Sequence, residues 1–369
     1  MKVAYTYLGS KGVTYDALGM AIGLSHYSEV LCVISSHVDN LKLWEKEAKA
    51  NNRFSLLKVN VGNTIFSGIS GLFNVVRFMR IKKAIDSFSP VFVYSFMGHP
   101  WEKMFVPFLK CKNVLTSIHD AVADHGDNDW RRKFMNLFNY TPRWYVTYSQ
   151  NTKNGLVERG FDKERIVVTH LACNLVLEDM PKEADVHHYN RFLFWGRIEP
   201  YKGLSVLLDA VAEVIKKHPQ SRLVIAGRGS MEEYQTKLKK LVQNVEVHND
   251  WIPNESIKDY FNQVDIVVAP YTAASQSGVI TLAYSFGKPV VASDSGALPE
   301  QVANGKTGLV VPAGDSSKLA DAISYLLDND KELSVMKKNA FEYSKELTWN
   351  AAAKMIIDFL TEKGELEQS

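Results

Sequence analysis

Two α/β domains, each built on a parallel sheet, are what this chain of 369 residues predicts. Three observations carry the prediction. Short β-branched or aromatic runs alternate with longer amphipathic stretches along the chain, the rhythm of strands joined by crossover helices. That rhythm breaks once, at a polar segment, and then resumes. The composition, 46% apolar and 23% charged, is enough for two separate cores.

In the first half the strand-like runs are Lys2 to Leu8, Val30 to Ser35, Phe54 to Val59, Val91 to Phe96, Val114 to Ile118 and Trp144 to Tyr148. In the second half they are Phe192 to Trp195, Leu223 to Ala226, Val245 to His248, Ile266 to Ala269, Pro289 to Ala292 and Gly308 to Val311. Between the halves, Glu178 to Asn190 is polar, contains a proline and lacks either periodicity, as a linker does. The division is therefore 1–178, a linker at 179–190, and 191–346. The segment Trp349-Asn-Ala-Ala-Ala-Lys-Met-Ile-Ile-Asp-Phe-Leu reads as a terminal amphipathic helix with Thr348 as its N-cap, so 347–369 is a separate final element.

Charge is distributed unevenly. Residues 1–178 hold 22 basic and 15 acidic side chains, and the remainder 21 and 26, so a basic half adjoins an acidic one. An anionic surface facing the first half would explain this, as would solvated charge alone. Cys32, Cys111 and Cys173 lie far apart without CxxC spacing, which suggests neither a zinc cluster nor a disulfide framework, and a reducing cytosol fits. No stretch approaches membrane-spanning length. A chain of near-neutral overall charge with no recognisable nucleic-acid module is not expected to bind nucleic acid.

Four places carry candidate chemistry. Phe192-Leu-Phe-Trp-Gly-Arg-Ile-Glu-Pro-Tyr-Lys-Gly203 runs from a strand through a Gly-Arg turn to a lysine and a helix. Ligands of open α/β sheets bind beyond the carboxyl ends of the strands, where Arg197 and Lys202 could hold a diphosphate. Ser275-Gln-Ser-Gly-Val279 reads as a polar loop with Ser277 capping a helix, whose free N–H groups at Gly278 and Val279 suit an anion. Gly9 and Gly12, after the first strand, let the backbone approach a phosphate, although an ordinary βα turn explains them equally well. His119 and Asp120 lie just past the strand Val114 to Ile118, on the crevice side, and His125 follows. The Asp127-Asn-Asp129 triplet reads as solvated surface rather than a metal site. Basic and aromatic residues cluster at Arg77 to Lys83 and at Trp130 to Phe138. The second stretch combines cations with an apolar stripe at helical spacing, as a helix lying on an anionic membrane would, and equally as a partly solvated helix packing on the sheet would.

The segment FWGRIEPYKGLSVLLDA resembles the strand, GR loop and KG helix of the retaining GT-B glycosyltransferases of family 4. LVIAGRGS, NDWIPNESIKDYFNQVDIVVAPY and FGKPVVASDSGALPEQVANGKTGLVVP follow in the order of that family's C-terminal domain, and VTYSQNTKNGLVERGFDKERIVVTHLA resembles the end of its N-terminal domain. The resemblance implies GT-B architecture: two Rossmann-like domains facing an interdomain cleft, with the C-terminal helix crossing back to the first. It implies a metal-independent hexosyltransferase that takes a UDP- or GDP-sugar, retains anomeric configuration and needs no cofactor besides that co-substrate. It further implies that Gly196, Arg197, Lys202, Gly227, Ile252, Ser277, Gly278, Val279 and Glu300 meet the donor, with Gly9 and Gly12 near its phosphates. Arg197 and Lys202 would stabilise the departing diphosphate, and His119 would act near the reacting carbon. Asp120 and His125 would touch a sugar or lipid-linked acceptor at the inner face of a membrane.

One departure stands out. The family places two glutamates eight positions apart in the loop and helix before Phe286-Gly-Lys-Pro289, and this sequence has Ala274 and Leu282 there. Either the loop has been rebuilt in a variant subset, or the chain is a nucleotide-sugar-binding or scaffolding subunit that has lost catalysis. A non-hydrolysing sugar-nucleotide epimerase on a similar fold is a third reading, which the Gly-Arg to Lys-Gly segment fits less well.

Overall fold

The computed structural model describes residues 1–10, 12–61, 71–119, 142–172 and 181–366. The chain divides into two compact units, Met1–Asn174 with Thr348–Ser369, and Leu175–Leu347.

The first unit is a seven-stranded parallel sheet in the order β3-β2-β1-β4-β5-β6-β7. Its strands are β1 Lys2–Tyr7, β2 Glu29–Ser35, β3 Phe54–Val59, β4 Phe92–Ser95, β5 Val114–Ser117, β6 Trp144–Thr147 and β7 Ile166–Val168. The first six match the runs expected from sequence to within a residue or so at each end. β7 was not expected, because three residues give too short a run for period-two patterning to register. The helices described are α1 Thr14–Ser25, α2 Leu41–Ala50, α3 Gly71–Phe88 and α4 Gln150–Glu158. Strand β1 is central and fully buried apart from Lys2, which explains why it reads as continuous apolar and aromatic sequence rather than alternation.

The second unit is a six-stranded parallel sheet in the order β10-β9-β8-β11-β12-β13. Its strands are β8 Arg191–Trp195, β9 Arg222–Ala226, β10 Val245–His248, β11 Ile266–Ala269, β12 Val290–Ser293 and β13 Gly308–Val311. Between and after them come α5 Leu204–Lys217, α6 Gln235–Lys240, α7 Ile257–Phe261, α8 Gly278–Ser285, α9 Leu298–Gln301, α10 Ser316–Asp328 and α11 Asp330–Ser344. In both sheets the order reverses direction beside the first strand, so the ends of β1 and β8 lie at the switch points where such folds bind ligands.

The last helix, α12 Trp349–Glu362, belongs to the first unit, as expected. Thr348 caps it by accepting from the Ala351 N–H at 3.1 Å. Its buried residues Trp349, Ala352, Ala353, Ile356 and Leu360 form one stripe at helical spacing. The receiving surface is α1, where Gly19 and Gly23 lie one turn apart. A Cβ on Gly19 would sit 2.2 Å from the Trp349 ring, and one on Gly23 would sit 2.4 Å from the Trp349 carbonyl oxygen. These two glycines let α12 dock, and at that spacing they are the signal in the sequence for a close helix contact.

The polar segment before β8 is anchored rather than free where it is described. The carboxylate of Asp265 accepts from the N–H groups of Tyr189 and Arg191 and from the Lys337 ammonium at 2.8 Å. Lys337 also reaches the His187 carbonyl, and Lys288, fully buried, lies 3.6 Å from the Asp185 carboxylate. Burial pulls the Lys288 pKa down to about 8. Sequence patterning missed this because the partners lie roughly 70 to 150 residues away.

Candidate functional site

In the second unit the chain leaves β8 through Gly196, at φ +102, and makes a 3-10 turn at Pro200–Lys202 before α5 begins. Gly203, at φ +72, is the hinge into that helix, and a Cβ there would lie 1.9 Å from the Pro270 carbonyl oxygen. The tight turn drives Lys202 inward. Only 8% of it is exposed, and its ammonium donates to the Tyr271 hydroxyl at 3.1 Å while lying 4.8 Å from that ring's centre.

Ser277 joins the same hydroxyl from the other side, donating from Oγ at 3.2 Å. As expected it caps α8, its Oγ accepting from the Val279 N–H at 3.3 Å. Gln301 fixes the cap from both faces: the Ser277 N–H donates to Oε1 at 2.7 Å, and Nε2 donates to the Ser277 carbonyl at 3.1 Å. The turn and the helix start are adjacent, because a Cβ on Gly196 would meet the Lys202 ammonium at 3.3 Å and Val279 at 3.8 Å. Gly196, Lys202, Ser277, Gly278 and Val279 are thus brought together. Gly227, after β9, joins them, since a Cβ on it would lie 2.0 Å from the Gly196 carbonyl oxygen.

This cluster holds a surplus of donors. An ammonium, a phenol and a serine hydroxyl carry more protons than two hydroxyl oxygens can accept. Among the described residues no carboxylate bonds to any of the three. A buried donor excess beside a helix N-terminus is a place for an anion with several oxygens, such as a diphosphate.

The remaining residues singled out in this unit lie around that cluster. Arg197 has 73% of its side chain exposed and stands 3.9 Å from Glu199, an ion pair too open to hold it. Ile252 is half-buried in an apolar cluster that includes Trp195, Val279 and Leu282. Glu300 is exposed on α9, in the first turn as expected. Ala274 and Leu282 also pack against this apolar cluster. Tyr271 and Gln301 escaped sequence reading. Nothing local marks them, and each matters only because the fold sets it against Ser277.

Residues 189–329 match the family described as Glycosyl transferases group 1. That match lies within the second unit. Among curated proteins, the D-inositol 3-phosphate glycosyltransferase of Corynebacterium efficiens is 33% identical over 183 residues, covering 47% of this chain and 43% of its own length. The phosphatidyl-myo-inositol mannosyltransferase of Mycobacterium leprae is 34% identical over 167 residues, covering 45% and 44%. The chain thus spans less than half the length of these relatives. Among solved structures, HepE of Anabaena in complex with UDP aligns with a TM-score of 0.73 over 98% of this chain and 100% of its own, at 17% identity. A glycosyltransferase from Rickettsia africae aligns at 0.71, over 100% and 99%, with 16% identity. At such identities the likeness establishes the fold, which is that of GT-B proteins over both units.

In the first unit, outside the part matched to the group 1 family, the turn after β1 has Gly12 at φ +93 in open space, while a Cβ on Gly9 would lie 2.8 Å from the Tyr7 hydroxyl oxygen. His119 follows β5 between aromatic rings, 4.7 Å from Tyr148 and 6.3 Å from Phe96 by ring centres. Burial lowers its pKa to about 4, which leaves the imidazole neutral near neutral pH. A pocket of about 810 Å³ is lined by His119, Thr116, Ser117, Lys103 and Arg159, and by a carboxylate that sequence reading missed. That carboxylate is Glu102, buried and accepting from the Thr6 hydroxyl at 2.5 Å, from the Ser95 hydroxyl, and from the His99 N–H at 3.2 Å. Burial outweighs those bonds and pushes its pKa up to about 7. Its only local signal is a capping pattern, His99-Pro-Trp-Glu102, which announces a helical turn and no chemistry. Asp120, His125, the Asp127-Asn-Asp129 triplet, the Trp130 to Phe138 stretch and Cys173 lie outside the described residues. Among those described, Cys32 and Cys111 are free thiols, and no helix is long and apolar enough to cross a membrane.

Proposed function

We propose that this chain is a glycosyltransferase that moves a sugar from a nucleotide-diphosphate sugar to a hydroxyl acceptor, with retention and without a metal. One observation carries the reading: the donor surplus of Lys202, Tyr271 and Ser277 at the end of β8, within the residues matched to the group 1 family. HepE has been solved with UDP and with UDP-glucose, which supports a uridine nucleotide as the first donor to try.

In the proposed reaction the bond between the anomeric carbon and the diphosphate oxygen breaks. The acceptor oxygen forms the new bond on the same face, and its hydroxyl proton passes to the departing phosphate. Negative charge grows on the diphosphate, and the Lys202 ammonium and the Gly278 N–H are the groups positioned to meet it. Arg197 closes over the donor from its exposed position. Gly9, Gly12, Gly196, Gly227, Ile252, Val279 and Glu300 complete the donor site in this reading. His119, neutral, serves as a hydrogen-bonding group near the reacting carbon, and Asp120 and His125 contact the acceptor. The 1–178 segment would then be the acceptor domain and 191–346 the donor domain. Both curated relatives have inositol-containing compounds in their names, and one is a phosphatidyl compound. Their names and the basic first half support an anionic, lipid-linked acceptor met at the cytoplasmic face of a membrane.

Ala274 and Leu282 give this chain the character of a variant within its family. They motivate the second reading, a nucleotide-sugar-binding subunit without catalysis. Thermal unfolding with UDP, GDP and UDP-glucose tests the donor site: a bound donor stabilises the folded state by about 2.7 kcal/mol at one hundred times its Kd. No shift with any nucleotide would sink both readings. A shift without sugar transfer or donor hydrolysis would leave only the second.

A further inference from the structure

Helix α3 exposes residues that a solvated helix does not. Its inner face, Phe78, Ile81 and Ile85, packs into the core behind β1 and β4. Its outer face carries Val76, Met79, Arg80 and Lys83, spaced at i, i+3, i+4 and i+7 along one stripe. Val76 is 67% exposed and Met79 64%. A third exposed side chain, Phe108 at 67%, comes from the 3-10 turn Val106–Phe108. That turn neighbours α3: Phe78 contacts the rings of Trp101 and Phe105 at 5.5 and 6.3 Å, and the Lys110 N–H donates to Asp86 on α3 at 2.9 Å.

The charge around these residues is of one sign. From Val76 to Lys112 the chain has seven basic and two acidic residues. Of the two acids, Glu102 is buried and Asp86 is held by Lys82. Arg80 and Lys83 make no ion pair among the described residues, and both are exposed.

We propose that this face of the first unit, α3 with the turn at Phe108, is a docking surface for an anionic lipid bilayer. Val76, Met79 and Phe108 would enter the interface between headgroups and acyl chains, while Arg80, Lys83, Lys110 and Lys112 would meet the anionic headgroups. Charge chooses the occupant. A second copy would set cations against cations, and a nucleic acid would give the three apolar side chains nothing to bury into. The inference deepens the membrane part of the proposed function and rests on none of the donor chemistry.

The test is co-sedimentation of the full chain with phosphatidylcholine vesicles, with and without phosphatidylglycerol. Binding is expected only to vesicles with phosphatidylglycerol, and it should weaken as salt rises. Val76→Asp with Met79→Asp, and separately Arg80→Gln with Lys83→Gln, should each weaken it about tenfold or more. Val76→Leu with Met79→Leu should bind like the parent. Circular dichroism and the nucleotide-induced thermal shift, measured on every variant, distinguish a lost surface from a lost fold. The proposal is overturned if the parent ignores anionic vesicles, or if folded variants bind them as well as the parent. It is also overturned if the face mediates self-association that the aspartates abolish, with no vesicle binding. A parent that binds vesicles but shows no nucleotide shift would keep this surface and remove the donor reading.

Discussion

The two units use the same device, a glycine turn leaving the first strand of the sheet, under different constraints. In the second unit the turn is crowded: Gly196 faces the Lys202 ammonium, and Gly227 lies against the Gly196 carbonyl. In the first unit Gly12 takes a comparable positive φ with nothing within 4 Å. The crowded turn holds its polar groups in place, whereas a side chain at Gly12 would meet no neighbour. Preorganisation of this kind suits a group that must stabilise developing charge.

Substituting the glycines breaks the comparison most sharply. Gly227→Ala puts a Cβ 2.0 Å from a backbone oxygen, at φ +147, and should destabilise the second unit by more than about 3 kcal/mol. Gly12→Ala meets only the conformational penalty, about 1 kcal/mol. Denaturant unfolding of both variants decides this, and equal losses would mean that the crowding is immaterial.

The cations come next. Lys202→Ala should lower kcat about 100-fold or more, the loss typical of removing one preorganised donor, while the Ser277 hydroxyl keeps its bonds to Tyr271 and to the Val279 N–H. Arg197→Ala, at an exposed side chain, should lower turnover while leaving the unfolding curve of the free protein unchanged. A Lys202→Ala variant with near-parental turnover would remove the role assigned to the cluster.

Titration sharpens the contrast from the side of the first unit. Glu102 has its folded pKa raised from the usual carboxylate range to about 7, so its favourable contribution is full below about pH 4.5 and is lost as pH rises through about 7. His99 and His119, lowered to about 4, act in the opposite sense, their contribution being lost as pH falls from about 6.5 through that value. The parent's profile therefore mixes the two, and the comparison with Glu102→Gln isolates one. Relative to the parent, that variant should gain as much as about 3 kcal/mol between about pH 5 and about pH 8. A pH-independent difference would contradict the burial argument.

The smallest effect is at the caps. Ser277→Ala should cost about 1 kcal/mol, much like Ser149→Ala at the start of α4, where Ser149 accepts from the Thr152 N–H at 3.1 Å. Only the Ser277 change should also weaken nucleotide binding in a thermal-shift assay. If Ser277→Ala binds nucleotides as the parent does, Ser277 is a cap and nothing more.

Much of the fold was legible in the sequence because strands and helices are local. Parallel strands buried on both faces must be apolar throughout, so runs such as Val290–Ser293 declare themselves, and Thr348 and Ser277 cap the helices that follow them. The turn glycines and Lys202 could be singled out as candidates for the same reason, since each sits a short step after a strand. What sequence alone left open was which side chains would meet across distance. Tyr271 reaches Lys202 from 69 residues away, Gln301 reaches Ser277 from 24, and Asp265 binds the segment before β8 from more than 70. No periodicity records such meetings, because hydrogen bonds between distant side chains depend on where two strand ends arrive in the sheet. The strand order decides that, and strand order is a property of the tertiary structure.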